Sequence, residues 1–346
     1  MKKSVLILMV VLTACTARTP LSLDIVRNCV DEYPQEWNCV TGMELKALLD
    51  AAPEETFDRV DSWYDALIDS TGTISGYQKE DFSLSQICPG RTLFQLYDVT
   101  GTEKYRAAMD SLYTQLWEQP RNPEGGFWHS ADCPHQMWLE DLYMAEPFYA
   151  EYTVRFVTDS LERAENFQDI AHQFGVAFDA TFDHDSGLLR EAWDASKDML
   201  WSDEITGQSP SSYAYDMGLY AMALVDVIEI MPSGEEHDEL VRLFNRVFDP
   251  LPLYADAQSG MWFKVMDSPY EEDNPLDATG SAMFTYALLK GTRLGVLEGF
   301  TGEDAATRYQ EFLDTFVHRN EEGGFDLESG EETSSLIWAS MEISLQ

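Results

Sequence analysis

The sequence predicts an all-α protein whose helices form six hairpins closed into a toroid, an (α/α)6 barrel. Three observations predict it. Apolar residues recur at i, i+3, i+4 and i+7 through nearly the whole chain, the stripe a helix needs to bury one face. The helices come in pairs joined by short breaker turns, Thr100-Gly101-Thr102, Pro232-Ser233-Gly234 and Thr301-Gly302. After each charged helix a glycine leads a brief apolar stretch, at Gly126, Gly187, Gly260 and Gly324. These return roughly every 60–75 residues, the mark of a repeated unit that cannot bury its faces alone.

In chain order, the helical pattern covers residues 57–68, 92–97, 105–117, 142–156, 167–178, 217–231, 240–248, 282–297, 309–316 and 334–343. The first helix of a pair is richer in small and apolar residues, as in Ala221-Met222-Ala223-Leu224 and Ala282-Met283-Phe284, and the second carries more charge. That asymmetry assigns the first to an inner layer and the second to a solvated outer one. Pattern alone does not fix closure, so an open solenoid is the alternative. No Pro- or Ser-rich linker interrupts the chain, and residues 51–346 read as one domain. In such a ring the glycine-marked loops and the first turns after them line a central cleft, where function is expected.

The N-terminus reads as a targeting segment. Lys2 and Lys3 precede an apolar run from Val5 to Leu12, too short to span a bilayer but of signal-peptide length. Leu12-Thr13-Ala14-Cys15 resembles the bacterial lipobox. Residues 1–14 are therefore expected to be a lipoprotein signal peptide, Cys15 the lipidated residue, and 15–50 a lipid-anchored N-terminal segment of an exported protein. An ordinary signal peptide with an incidental cysteine is the alternative.

The 346 residues include 62 acidic and 22 basic side chains, a formal charge of −40. Phosphate contacts need clustered Lys and Arg, so nucleic acid is excluded as a partner. Four further cysteines, Cys29, Cys39, Cys88 and Cys133, allow two disulfides, Cys29 with Cys39 and Cys88 with Cys133 being one pairing, or free thiols. The six histidines are scattered without metal-ligand spacing, and no metal or cofactor is expected. Oligomeric state is not legible.

Chemistry concentrates in Gly125-Gly126-Phe127-Trp128-His129 and Cys133-Pro134-His135-Gln136-Met137-Trp138-Leu139-Glu140-Asp141-Leu142-Tyr143-Met144. Here Glu140 and Asp141 stand at the head of an otherwise apolar inner helix. Burial there favours the protonated carboxyl and lifts it toward general-acid range, although acids in a first turn also simply complement the helix dipole. Trp128, Trp138, Trp193 and Tyr213 lie in the same class of loops and could form platforms for sugar rings, or be ordinary core aromatics.

The segment from Pro89-Gly90 through Tyr152, above all Gln136-Met137-Trp138 with 142–152, resembles glycoside hydrolase family 105, the unsaturated rhamnogalacturonyl hydrolases related to family 88. Residues 217–227 and 281–291 are similar to later blocks of that family. The resemblance implies an (α/α)6 barrel, an oligosaccharide substrate, and removal of a Δ4,5-unsaturated uronic acid from the non-reducing end by acid-assisted hydration. Position by position it places Glu140 on the family's catalytic aspartate, with Asp141 beside it, and Ser85 on a second aspartate. Glu191 falls on a histidine, and Tyr213 and Tyr215 fall within a block that elsewhere carries an arginine. Substrate contacts are expected from Ser85, Trp128, His129, His135, Trp138, Glu191, Trp193, Tyr213, Tyr215 and Asp277. Glu140 with Glu191 or Asp277 would alternatively make a two-carboxylate glycosidase pair. Arg91, Arg190 and Lys197 are the cations best placed to hold a substrate anion or to neutralise the acids. A non-catalytic glycan-binding protein on the same barrel is the competing function.

Overall fold

A computed structural model describes residues 21–28, 33–319, 325–327 and 333–346. Cys15, Cys29 and Gly324 lie outside the described residues. Thirteen α-helices run in chain order among them: α1 (Leu21–Asn28), α2 (Cys39–Ala51), α3 (Pro53–Leu67), α4 (Gly90–Thr100), α5 (Glu103–Glu118), α6 (Leu139–Phe156), α7 (Ser160–Thr181), α8 (Ala214–Ile230), α9 (Glu235–Phe248), α10 (Leu251–Tyr254), α11 (Ala278–Leu294), α12 (Gly302–Phe316) and α13 (Ser334–Glu342).

The ring is closed. Helices α2, α4, α6, α8, α11 and α13 pack in that order, and α13 returns onto α2. Glu44 of α2 fastens the closure, its carboxylate accepting from the Thr333 and Ser334 amides at 2.7 and 3.1 Å, where α13 has donors without intrahelical partners. Outside them lie α3, α5, α7, α9 and α12, with α1 against α13 as the sixth outer helix. The two layers differ as their sequences require. Inner α8 is buried on every side along most of its length, whereas outer α9 buries only Leu240, Leu243, Phe244, Val247 and Phe248, a single helical stripe.

The domain starts earlier than residue 51. Met43, Leu45, Leu48 and Leu49 of α2 are buried in the core, so the segment expected to be a tether supplies an inner helix. The inner helices also begin about one turn before their apolar pattern does, α6 at Leu139 and α8 at Ala214. In those first turns Glu140, Tyr215 and Asp216 line a cleft, which interrupts the hydrophobic period. Cys88 and Cys133 are free thiols, not joined to one another. Among the described residues no helix is long and apolar enough to cross a membrane.

Close contact between α8 and α11 depends on Gly280. A Cβ there would come within 2.7 Å of the Ala214 carbonyl carbon, so any side chain would push the heads of these two helices apart. The loops in front of the inner helices are pinned together at the same mouth of the ring. Strand β1 (Gln136–Trp138) pairs antiparallel with β2 (Ala192–Asp194), and single bridges join Trp193 to Gln208, Tyr213 to Val265 and Phe263 to Leu276. This chain of short pairings turns separate loops into one rigid wall.

Candidate active site

A cavity of about 690 Å³ opens at that mouth, lined by Glu140, Glu191, Tyr213, Tyr215, Asp216, Lys264 and the segment around Asp277. Its size suits a small saccharide. The head of α6 contributes Glu140, the strand before it pairs with the loop that carries Glu191, and the head of α8 contributes Tyr213, Tyr215 and Asp216. Asp277 caps α11, accepting from the Gly280 amide at 3.0 Å.

The carboxyls here are held up, not down. Glu140 is pushed to about 7, first by burial and then by the neighbouring Asp141 and Glu191 charges, with His129 pulling the other way. Asp216 is pushed to about 8 by burial and by Glu191 and Glu140. Burial also raises Glu191 and Asp277. Among the described residues no ion pair reaches Glu140, Glu191 or Asp216, and a buried carboxyl without a cation relieves its cost by taking a proton.

Asp141 plays a different part from its neighbour. It is 3% exposed and does not line the cavity. One oxygen lies 2.8 Å from His129 Nδ1, and the other accepts the Trp138 amide at 2.9 Å, closing the first turn of α6. The pairing lifts His129 to about 9, so its ring is an imidazolium at neutral pH. Of the two acids expected to be catalytic at this helix head, Asp141 is thus engaged by His129 and the Trp138 amide, and Glu140 is the one presented to the cavity.

The other expected residues divide in the same way. Tyr213, Tyr215, Glu191 and Asp277 reach the cavity. Trp138 stands half-buried, its ring 5.7 Å from those of His129 and Trp201. Trp128 packs edge-on against His135 at 4.8 Å, away from the lining. Trp193 is buried and its indole donates to the Thr206 carbonyl, so it is core rather than platform. Ser85 pairs with Ser83 at 2.9 Å and is absent from the lining. The expected cations are committed elsewhere: Arg91 to Asp226, Arg190 to Asp183 and Asp267, and Lys197 to the Ile205 carbonyl. Asp216 and Lys264 were not foreseen as lining residues. Among the described residues no group of three or more His, Cys, Asp or Glu is arranged to hold a metal.

Comparison with known proteins agrees with this architecture. The family model of Glycosyl Hydrolase Family 88 matches residues 27–333. A 24.9 kDa protein of the picA locus of Rhizobium radiobacter is 32% identical over 184 residues, 52% of this chain and 76% of that one. A family 105 glycoside hydrolase structure from C. acetobutylicum superposes with a TM-score of 0.87 at 30% identity, covering 95% of this chain and all of the other. An unsaturated glucuronyl hydrolase from Streptococcus agalactiae shares the fold at 10% identity, with a TM-score of 0.67 over 93% of this chain and 89% of its own.

Proposed function

Because this chain belongs to Glycosyl Hydrolase Family 88, we propose that it removes an unsaturated uronic acid from the non-reducing end of oligosaccharides left by polysaccharide breakdown, with Glu140 as the acid. The observation that carries the proposal is that Glu140 presents an unpaired, half-buried carboxyl with a raised pKa to an open cavity lined by two tyrosines. A carboxyl near 7 is half protonated at neutral pH and so can both give and take a proton.

The step runs as a vinyl-ether hydration. Glu140 gives its proton to C4 of the C4=C5 bond, and positive charge develops at C5 and the ring oxygen. Water adds at C5 and returns a proton to the Glu140 carboxylate. The C5 hemiketal opens to a ketone, leaving C1 as a hemiacetal that expels the remaining sugar. One water and one double bond are consumed, and Glu140 ends as it began. The His129 imidazolium, fixed by Asp141, offsets the negative charge that Glu140 carries in between.

Purified protein offered panels of unsaturated and saturated oligosaccharides tests this, with loss of the ultraviolet absorbance of the conjugated double bond and sugar release as readouts. The unsaturated panel should turn over, and Glu140→Gln should slow it by about 10²–10⁴-fold without loss of fold. A Glu140→Gln enzyme at full rate removes the assignment. Release from the saturated panel alone would replace hydration by a two-carboxylate hydrolysis, and sugar binding with no turnover would leave a glycan-binding protein.

We propose also that the protein is exported and tethered through a lipid on Cys15. The charged start, the short apolar run and Leu12-Thr13-Ala14-Cys15 support it. Palmitate labelling that persists in Cys15→Ser would refute it.

A further inference from the structure

Carboxylates outnumber cations almost threefold in this protein, 62 to 22, so a lysine without a partner is conspicuous. Among the described residues, Lys46 pairs with Asp50, Lys79 with Glu118, Lys104 with Asp65, and Lys290 with Asp226 and Glu229, while Lys197 donates to the Ile205 carbonyl. Lys264 alone among them has an ammonium with no hydrogen bond or ion pair, and it stands on the lining of the cavity.

Its backbone is not free to wander. The Lys264 carbonyl accepts the Ala214 amide at 3.0 Å, and its amide donates to the Pro275 carbonyl at 2.9 Å. The residue is therefore stitched between the head of α8 and the segment that leads into Asp277. The stem starts from a fixed point while the charge stays available. Its charge reaches Asp277, whose carboxyl it draws down against burial, yet among the described residues no ion pair forms between Lys264 and Asp277, Asp216 or Glu191.

We propose that Lys264 is a specificity-determining residue that receives the carboxylate of the sugar bound beside Glu140, and that the cavity therefore selects acidic over neutral saccharides. The proposal rests on the function assigned above and adds the group that recognises the anion. It also answers an electrostatic difficulty, because a wall of four carboxyls would repel a uronate unless some carry protons and one cation meets the charge. The raised pKa values of Glu140 and Asp216 supply the first condition, and Lys264 supplies the second.

The test compares an unsaturated uronyl disaccharide with its methyl ester, which keeps the ring and its double bond, adds one methyl group and has no charge. Binding is measured by calorimetry and turnover by absorbance, for the wild type, Lys264→Met and Lys264→Arg. Lys264→Met should weaken binding and kcat/KM for the free acid about tenfold, the low end for a charge-assisted contact because this lysine is exposed. It should leave the ester unchanged, and Lys264→Arg should retain the preference. Raised salt should weaken the free acid in the wild type and much less in Lys264→Met. Equal losses on both ligands, or none on either, would overturn the assignment. If no ligand turns over, the hydrolase function fails while the binding preference still decides the role of Lys264. Failure of the free acid to bind the wild type also overturns it.

Discussion

Helix α8 carries two buried aspartates, Asp216 and Asp226, about 15 Å apart along its axis at 1.5 Å per residue. They are almost equally buried, 7% and 5% exposed, and yet are held in opposite states. Burial raises Asp216 to about 8, with nearby Glu191 and Glu140 adding to the effect. Burial would raise Asp226 too, but Lys290 and Arg91 outweigh it and hold the carboxylate well below its usual range. Arg91 donates to it at 2.7 Å, Lys290 at 2.7 Å and the Tyr286 hydroxyl at 2.6 Å. What separates the unpaired acid from the structural one on this helix is therefore not depth but company. The structural acid binds α4, α8 and α11 together inside the ring, and the acid at the mouth has been left without a cation.

The sharpest way to break this comparison is to remove the charge from the paired site. Asp226→Asn keeps the shape of the side chain but leaves Arg91 and Lys290 facing a neutral amide inside the barrel. Breaking a buried pair from one side costs about 3–5 kcal/mol. The lower end is expected, because Lys290 keeps Glu229 at 2.8 Å. A thermal melt followed by circular dichroism reads the loss directly. A variant that melts with the parent would show that the ring does not need this junction, and the contrast with Asp216 would lose its structural half.

Much of the ring was legible in the sequence because inner and outer helices have different apolar periods, and helices such as α9 and α8 show the two extremes. The head of α6 was legible too, since two adjacent acids in front of an apolar run stand out. What escaped was at the head of α8 and in the loop that bonds to it. Asp216 sits in a first turn that the apolar pattern of α8 does not reach, so no period marks it. Lys264 follows an apolar stretch and carries no motif, and its importance lies in the absence of a partner, which no linear pattern records. Conversely Arg91, Trp193 and Ser85 have the right chemistry at plausible spacing and are spent on packing. The start of the domain was misplaced for a related reason: α2 has its apolar face toward α13, a neighbour from the other end of the chain.

A smaller effect separates the two aspartates by pH. A group whose folded pKa lies above its unfolded value adds stability below the unfolded pKa, and that contribution is lost as pH rises through the folded one. Asp216 moves from 3.8 to about 8, Glu140 from 4.5 to about 7 and His129 from 6.5 to about 9. All three act in one direction, so the melting temperature should fall steadily between about pH 5 and pH 9. Asp226 is shifted the other way, and its contribution is lost only in acid, below the range where the others titrate. Asp216→Asn, which cannot be deprotonated, should draw level with its parent only below the unfolded pKa of 3.8 and gain on it progressively as pH rises from 5 to 9, flattening the slope. Asp226→Asn should lower the whole curve and leave its slope above pH 5 as it was. Parallel curves for Asp216→Asn and its parent would mean that the mouth of the barrel ionises as freely as water, and the acid at the cavity would then owe nothing to being unpaired.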